Sequence, residues 1–337
     1  MHIAQAYELL CVEMRLSCLS ICLYKGGLVR NQQTLASAVT CSGVGLHSGQ
    51  SASITLRPAP PDTGVVFVNR KTNVDAHLSA SIRHRIPTEL CTAISGNGFQ
   101  VQTIEHLLSA LSGLHVDNVF VDVSASEVPV MDGSAAPFVR LIQSVGIVPQ
   151  NRKQAFLKIM APIEVAEGSK RVRIEPSPTP KITYSIHYEH PLINTQSYAY
   201  DCSAIAFENE IAEARTFGFL YEVQALWARG LGKGGTLDNT IVLSDDGVVN
   251  ESGLRFDDEF VRHKILDLIG DFSLMGMPFI GHIVADRSGH ALHTRLVQQI
   301  LTQPEKWVLL NADPSGEGKR SIAHALHLHP AVALQAS

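Results

Sequence analysis

The sequence predicts an α+β protein built from two domains of similar order. Three observations carry that reading. The chain has 337 residues, enough for about two domains of ordinary size. From Thr34 onward, short runs with strand periodicity alternate with a small number of helical runs. One segment order also occurs twice. A helix carrying a histidine ends at a glycine and leads into a strand, first with His106 and Gly113, then with His263 and Gly270. The two copies share little identity, so the echo suggests a duplicated unit without establishing one.

The elements follow in chain order. Residues 9–24 are apolar and include Cys11, Cys18 and Cys22. Glu13 and Arg15 interrupt the run and no small-residue cleavage site follows, so it does not read as a signal peptide. It is also too short and too broken to span a bilayer. Regular patterning begins near Asn31. Residues 1–30 are therefore expected to be an N-terminal extension from a mis-set start codon.

Ser51–Arg57 sets Ala52, Ile54 and Leu56 on one side, the alternation of a strand. Pro58, Pro60, Pro61 and Gly64 mark a loop before a strand at Val65–Val68. Helical spacing runs over Thr103–Ser112, where Ile104, Leu107, Leu108 and Leu111 share a face and Gly113 stops the helix. Asn118–Val123 reads as a strand, Ala135–Ser144 as a helix and Asn151–Gln154 as a polar linker. Strands are expected at Phe156–Val165, Arg171–Glu175 and Ile182–Tyr188, then a helix at Ala204–Ala214. A helix with Leu226 and Trp227 precedes the glycine-rich stretch Gly230–Gly235 and a strand at Thr240–Leu243. Helix Asp257–Ile269, strand Phe279–Ala285 and helix Ala291–Leu301 complete the order, and the small, polar end is expected to fray.

Composition narrows the function. Apolar residues make up 45% and charged residues 18%, which allows a large core and argues against global disorder. The net charge of -5 leaves no basic footprint for nucleic acid. The six cysteines, which also include Cys41, Cys91 and Cys202, lack metal-type spacing and read as reduced thiols in a cytoplasmic protein. Gly230–Gly235 lacks the Gly-Lys-Ser/Thr ending and the preceding strand of a phosphate loop, which argues against an NTPase. With 15 histidines, a metal site is the feature to look for.

On helix Asp257–Ile269, His263 and Asp267 are one turn apart and stack on one face, with Lys264 and Asp271 on the same side. Imidazole nitrogen and carboxylate oxygen both suit zinc, although such a pair alone is more often a surface ion pair. On the earlier helix the apolar stripe leaves Glu105, His106 and Ser109 opposite. A glutamate beside a ligand histidine can act as general base on a water at the metal, as in zinc proteases. Alone, a Glu-His pair is more often solvated. Together, His106, His263 and Asp267 supply the three protein ligands of a catalytic zinc. His290 is the candidate acid for a leaving amine, with Asp271 to orient it and keep it charged. His47 reads as structural, and His324, His327 and His329 as incidental.

At this point the residues resemble a known family, the UDP-3-O-acyl-N-acetylglucosamine deacetylases, over residues 31–312. The carrying segments are SGVGLHSG (42–49), TLRPAPPDTGV (55–65), TIEHLLSAL (103–111), VPVMDGSAAPFV (128–139), ARTFGF (214–219), GLRFDDEFVRHKILDLIGD (253–271) and SGHAL (288–292). Each is weak alone; the ordered set is specific. The resemblance implies two domains, each a sheet layered with helices in the manner of ribosomal protein S5 domain 2, and each with an insert. Domain I would span residues 31–153 with a small β insert. Domain II would span 154–312 with a βαβ insert at about 219–250, followed by a flexible tail at 313–337.

Carried over by position, the resemblance implies zinc ligands His106, His263 and Asp267, one ion per chain, with iron as the alternative in the cell. It implies Glu105 as general base, His290 as general acid or oxyanion stabiliser, Asp271 as its carboxylate partner and Thr216 as an oxyanion donor. Lys264 and Phe217 match substrate contacts. Phe219, Val223, Leu226 and Leu237 would line a passage for the acyl chain. Cys91 matches a family cysteine near the metal, and Gly232 stands where some relatives have cysteine. The implied reaction removes the N-acetyl group from UDP-3-O-acyl-N-acetylglucosamine, the committed step of lipid A synthesis. The expected partner is this small molecule, with no nucleic acid and no stable membrane insertion. A cytoplasmic monomer is expected, with proteolytic control through the tail Ala331–Ser337. The rivals are a non-catalytic nucleotide-sugar or lipid-binding module and a bifunctional protein with a fused dehydratase. The intact polar set weighs against the first, and the short remaining chain against the second.

Overall fold

The computed structural model describes residues 22–24, 27–70 and 76–311. The readings of Cys11, Cys18, the tail and its three histidines lie outside these residues. Ordered pairing starts before Asn31, since Cys22–Tyr24 runs antiparallel to Gly27–Val29.

The fold is α+β, with several sheets layered with helices. A five-stranded sheet holds β1 (Val39–Val44), β2 (Ser51–Pro58), β3 (Val65–Asn69), β4 (Ala76–Ser79) and β5 (Val119–Val123) in the order β1-β2-β5-β3-β4. Helix α1 (Glu105–Gly113) lies between β4 and β5 in sequence, and α2 (Ala136–Val145) follows β5. The second sheet holds β6 (Ile163–Glu167), β7 (Lys170–Glu175), β8 (Lys181–His187), β9 (Thr195–Asp201) and β10 (His282–Asp286), in the order β6-β7-β10-β8-β9. After the short α3 (Val223–Ala228), α4 (Glu259–Ser273) precedes β10 and α5 (His290–Leu301) follows it. Only β3/β5 and β8/β10 are parallel pairs in these sheets. The two halves therefore share one topology, and α4 is the counterpart of α1. The histidine echo reflects this repeat.

Period-two patterning builds each core face. Leu56 and Phe67 flank Val121 across the first sheet, and Ile174 and Ile182 flank Ile283 across the second. All six are buried. A fully buried side chain of this size contributes roughly 1.5–3 kcal/mol, which is why these registers are fixed. Between β4 and α1, Arg85–Ile86, Ala93–Gly96 and Phe99–Gln102 form a small antiparallel sheet. Between β9 and α4, Phe217–Phe219 and Ile241–Leu243 pair in parallel, with α3 in the connection.

Several expected elements differ. Asn151–Gln154 is no linker: Ile147–Lys153 pairs with Asn31–Leu35, a polar two-stranded ribbon without the alternation of a core strand. Phe156–Val165 breaks at Pro162, which has no N–H to give, leaving strands Phe156–Ile159 and Ile163–Glu167 in different sheets. Phe279–Ala285 likewise divides between two sheets as Phe279–Ile280 and His282–Asp286. The expected helix Ala204–Ala214 shortens to one turn and a π-helical stretch, Phe207–Ile211, whose wide turn accompanies packing of the Phe207 ring against Gly113. Gly270 does not stop α4, which continues to Ser273.

Candidate metal centre and active site

The first departure from an ordinary amphipathic helix is α1. Its apolar stripe is buried as expected, yet Glu105, His106 and Ser109 opposite are buried too. Burying polar groups is costly unless they find partners, so another element must cover that face with matching chemistry. That element is α4. The two helices meet at Gly270, where a Cβ would lie 2.1 Å from the Glu105 backbone oxygen. Glycine permits this approach. It sets Glu105 and His106 against the stretch of α4 that carries His263, Asp267 and Asp271.

Donor atoms of His106, His263 and Asp267 all lie within 4.8 Å of one another. Nε2 of His106 is 3.7 Å and Nε2 of His263 is 3.3 Å from Asp267 Oδ1, beyond ordinary hydrogen-bond range. Two donors on one tetrahedral zinc are about 3.3 Å apart, so the spacing fits an ion better than direct contacts. Nδ1 of His263 donates to the Ala214 carbonyl at 3.0 Å, which leaves Nε2 with its lone pair. Nδ1 of His106 has no hydrogen-bond partner. Burial pushes His263 down to about 3, so it stands as neutral imidazole, the ligand form. Burial works against charge on Asp267, but the Lys264 ammonium beside it helps hold the carboxyl well below its usual range. Lys264 Nζ donates to Asp267 Oδ2 at 2.9 Å, leaving Oδ1 toward the histidines. The group suits one metal ion.

A second group, Asp271, His290 and His293, lies beside it. Nδ1 of His290 donates to Asp271 Oδ2 at 2.8 Å. Burial disfavours charge on His290, as does its place at the first residue of α5, where a helix dipole repels cations. The Asp271 carboxylate outweighs both and lifts His290 to about 9. Asp271 itself falls to about 2, because its histidine partners overcome burial. Glu105 faces both groups. Burial pushes its carboxyl up, partly offset by His290 and His106. Its Oε2 accepts the Thr92 amide at 2.9 Å, and the Thr92 hydroxyl donates to Asp271 Oδ1. Cys91 is buried next door, its thiol pushed up to about 12 by burial and by Glu105.

Thr216 is pinned through its backbone, donating to Gly133 O at 2.9 Å and accepting from Ile241 N at 2.8 Å. Arg215 beside it is locked to buried Glu259 by its backbone N–H and its guanidinium. Phe217 packs edge-on against Phe260, 5.0 Å between centroids, and Lys264 Nζ sits 5.5 Å from its ring. Phe219 is buried among Tyr188, His190 and Tyr221. Val223 and Leu226 are half-buried on α3, and Leu237 is 47% exposed.

Three residues near the site are not singled out by the sequence as parts of it. Thr92 gives no signal, since its partners lie far along the chain. His293 gives one: it is three residues after His290, on the same helix face. His47 is buried, with Nε2 unpartnered and close enough to His290 and His106 to feel their charge. Its backbone amide is held by Glu127, which matches a structural role; its free ring nitrogen does not.

Among the described residues Cys41, Cys91 and Cys202 are free thiols, and no helix is long and apolar enough to cross a membrane. Residues 32–302 match the family model described as LpxC: UDP-3-O-acyl N-acetylglycosamine deacetylase. A UDP-3-O-acyl-N-acetylglucosamine deacetylase of Syntrophus aciditrophicus is 44% identical over 276 residues, covering 82% of this chain and 88% of the relative. The Myxococcus xanthus protein of that name is 43% identical over 308 residues, 90% of this chain and 98% of its own length. That of Syntrophotalea carbinolica is 45% identical over 285 residues, 83% and 91%. With its fold, its buried His/Asp groups and this extent of likeness, the chain belongs to the UDP-3-O-acyl-N-acetylglucosamine deacetylase family.

Proposed function

We propose that the chain hydrolyses the N-acetyl amide of UDP-3-O-acyl-N-acetylglucosamine, giving the free amine and acetate, the committed step of lipid A synthesis. The carrying observation is the convergence, across α1, α4 and α5, of a His/His/Asp group with a charged His–Asp pair, and Glu105 facing both. His106, His263 and Asp267 would hold zinc, which polarises an amide carbonyl and lowers the pKa of a water.

The chain's own residues then divide the proton work. Glu105, whose carboxyl is pushed up by burial, takes the proton of the attacking water. The Thr216 hydroxyl and His290 stabilise the developing oxyanion. Nδ1–H of His290 is committed to Asp271, so the proton for the leaving amine comes from Nε2. Asp271 stays ionised and keeps His290 charged until that transfer. Lys264 and Phe217 contact the substrate, with Cys91 beside the metal. Phe219, Val223, Leu226 and Leu237 line the acyl passage, and their apolar character supports this. We assign residues 31–153 and 154–312 as the two domains, with the insert at 219–250. The free thiols support a cytoplasmic setting.

Acetate release from UDP-3-O-acyl-N-acetylglucosamine tests the reading. Glu105→Ala and His290→Ala each lower kcat by roughly 10² while metal stays bound. Near-normal turnover in either variant contradicts the assigned role. No release by zinc-loaded wild type across several acyl lengths favours the binding-module alternative.

A further inference from the structure

Resting on that reading, we propose that His293 is a positioning residue, a fixed hydrogen-bond donor that holds Asp271 in the orientation it presents to His290. Asp271 is wholly buried, and its Oδ2 lies 2.8 Å from Nδ1 of both histidines. A carboxylate oxygen only accepts, so both nitrogens carry hydrogens.

The other ring nitrogen of His293 faces two hydroxyls, those of Tyr184 and Ser288. The Tyr184 hydroxyl donates to the Ser288 carbonyl at 2.7 Å, which uses its one hydrogen. Ser288 Oγ lies 3.0 Å from both the Tyr184 oxygen and His293 Nε2, with one hydrogen to give, and the Tyr184 oxygen lies 3.1 Å from the same Nε2. A protonated Nε2 would set a second imidazolium beside that of His290 on one carboxylate, in a wholly buried ring with no water to stabilise it. His293 is therefore neutral, with its hydrogen on Nδ1 and its Nε2 lone pair toward the Tyr184 and Ser288 hydroxyls. Burial lowers its pKa, in the same direction. Of the two histidines on Asp271, one is a fixed neutral donor and the other the charged acid.

The exposures separate their roles. The His290 side chain is 16% exposed, whereas His293 is buried behind it and cannot meet substrate. His293 acts through Asp271. With Thr92 holding Oδ1 and His293 holding Oδ2, the carboxylate plane is fixed, and so is the ring of His290. Loss of the His293 donor leaves Oδ2 anchored by His290 alone.

The test compares His293→Leu with His293→Asn in the full chain. The asparagine amide N–H can reach the place of imidazole Nδ1–H; leucine fills space without donating. His293→Leu is expected to lower kcat roughly 10-fold with KM unchanged, and His293→Asn to recover most of it. Wild-type kcat in the leucine variant, a loss carried in KM, or equal impairment of both variants overturns the proposal. ¹⁵N-histidine NMR of the wild type gives an independent reading, in which His293 is expected as the neutral Nδ1–H tautomer. The Nε2–H tautomer, or imidazolium, overturns the proposal even if the leucine variant does not fold. Wild type without acetate release would instead remove the functional reading, and the tautomer would still decide whether His293 is a donor.

Discussion

Replacing Gly270 by alanine perturbs the crossing on which both polar groups depend. The added Cβ would meet the Glu105 backbone at 2.1 Å from O, 2.7 Å from C and 2.8 Å from Cα. These are backbone atoms of a packed helix, so no side chain can swing away. Reaching the 3.0 Å that Cβ atoms keep requires α1 and α4 to part by roughly 1 Å. Overpacking of this kind costs about 1–3 kcal/mol, against which the helix propensity of alanine returns about 1 kcal/mol. The stability loss is therefore modest. The catalytic loss is larger, because Glu105 and His106 move relative to His263, Asp267 and Asp271, and a misplacement of about 1 Å can cost roughly 10² in rate. Urea unfolding and acetate release on one preparation check both parts. A Gly270→Ala protein with wild-type stability and wild-type kcat would refute the claim that this contact sets the site.

Asp271→Asn changes the pH profile in a stated direction. Activity that needs charged His290 is lost as pH rises through about 9. Removing the carboxylate lowers that pKa, although Glu105 and Asp267 still face the ring. The basic limb of kcat against pH moves to lower pH; an unmoved limb means His290 is not the acid. Glu259→Ala breaks the buried pair with Arg215 and costs about 3–5 kcal/mol by urea unfolding. A loss under about 1 kcal/mol would mean that the pair does not hold the Thr216 segment.

The legible part of the site lies in local spacing. His263 and Asp267 share a helix face, and Glu105 adjoins His106, so residue order alone reveals those pairings. Period two likewise reveals the strand at Ser51 and the register face of Leu56. What spacing does not carry is the partner across the crossing. Thr92 joins Glu105 to Asp271 through an amide and a hydroxyl, and neither group has a sequence signature. Gly270 misleads for the same reason: glycine ends many helices, but here it lets one helix lie on another. The turn-like GLHSG setting of His47 points to a structural role, and its unpartnered Nε2 is evident only in three dimensions. The strand at Asn151 is hidden by polarity, since a two-stranded ribbon needs no apolar alternation.

The most direct test of the central claim is acetate release before and after chelation, with metal content measured alongside. His106, His263 and Asp267 are buried together with their donor atoms within 4.8 Å, so one equivalent of metal is expected per chain. Chelation should abolish acetate release, and one equivalent of zinc should restore it. Full acetate release from metal-free protein would contradict the account.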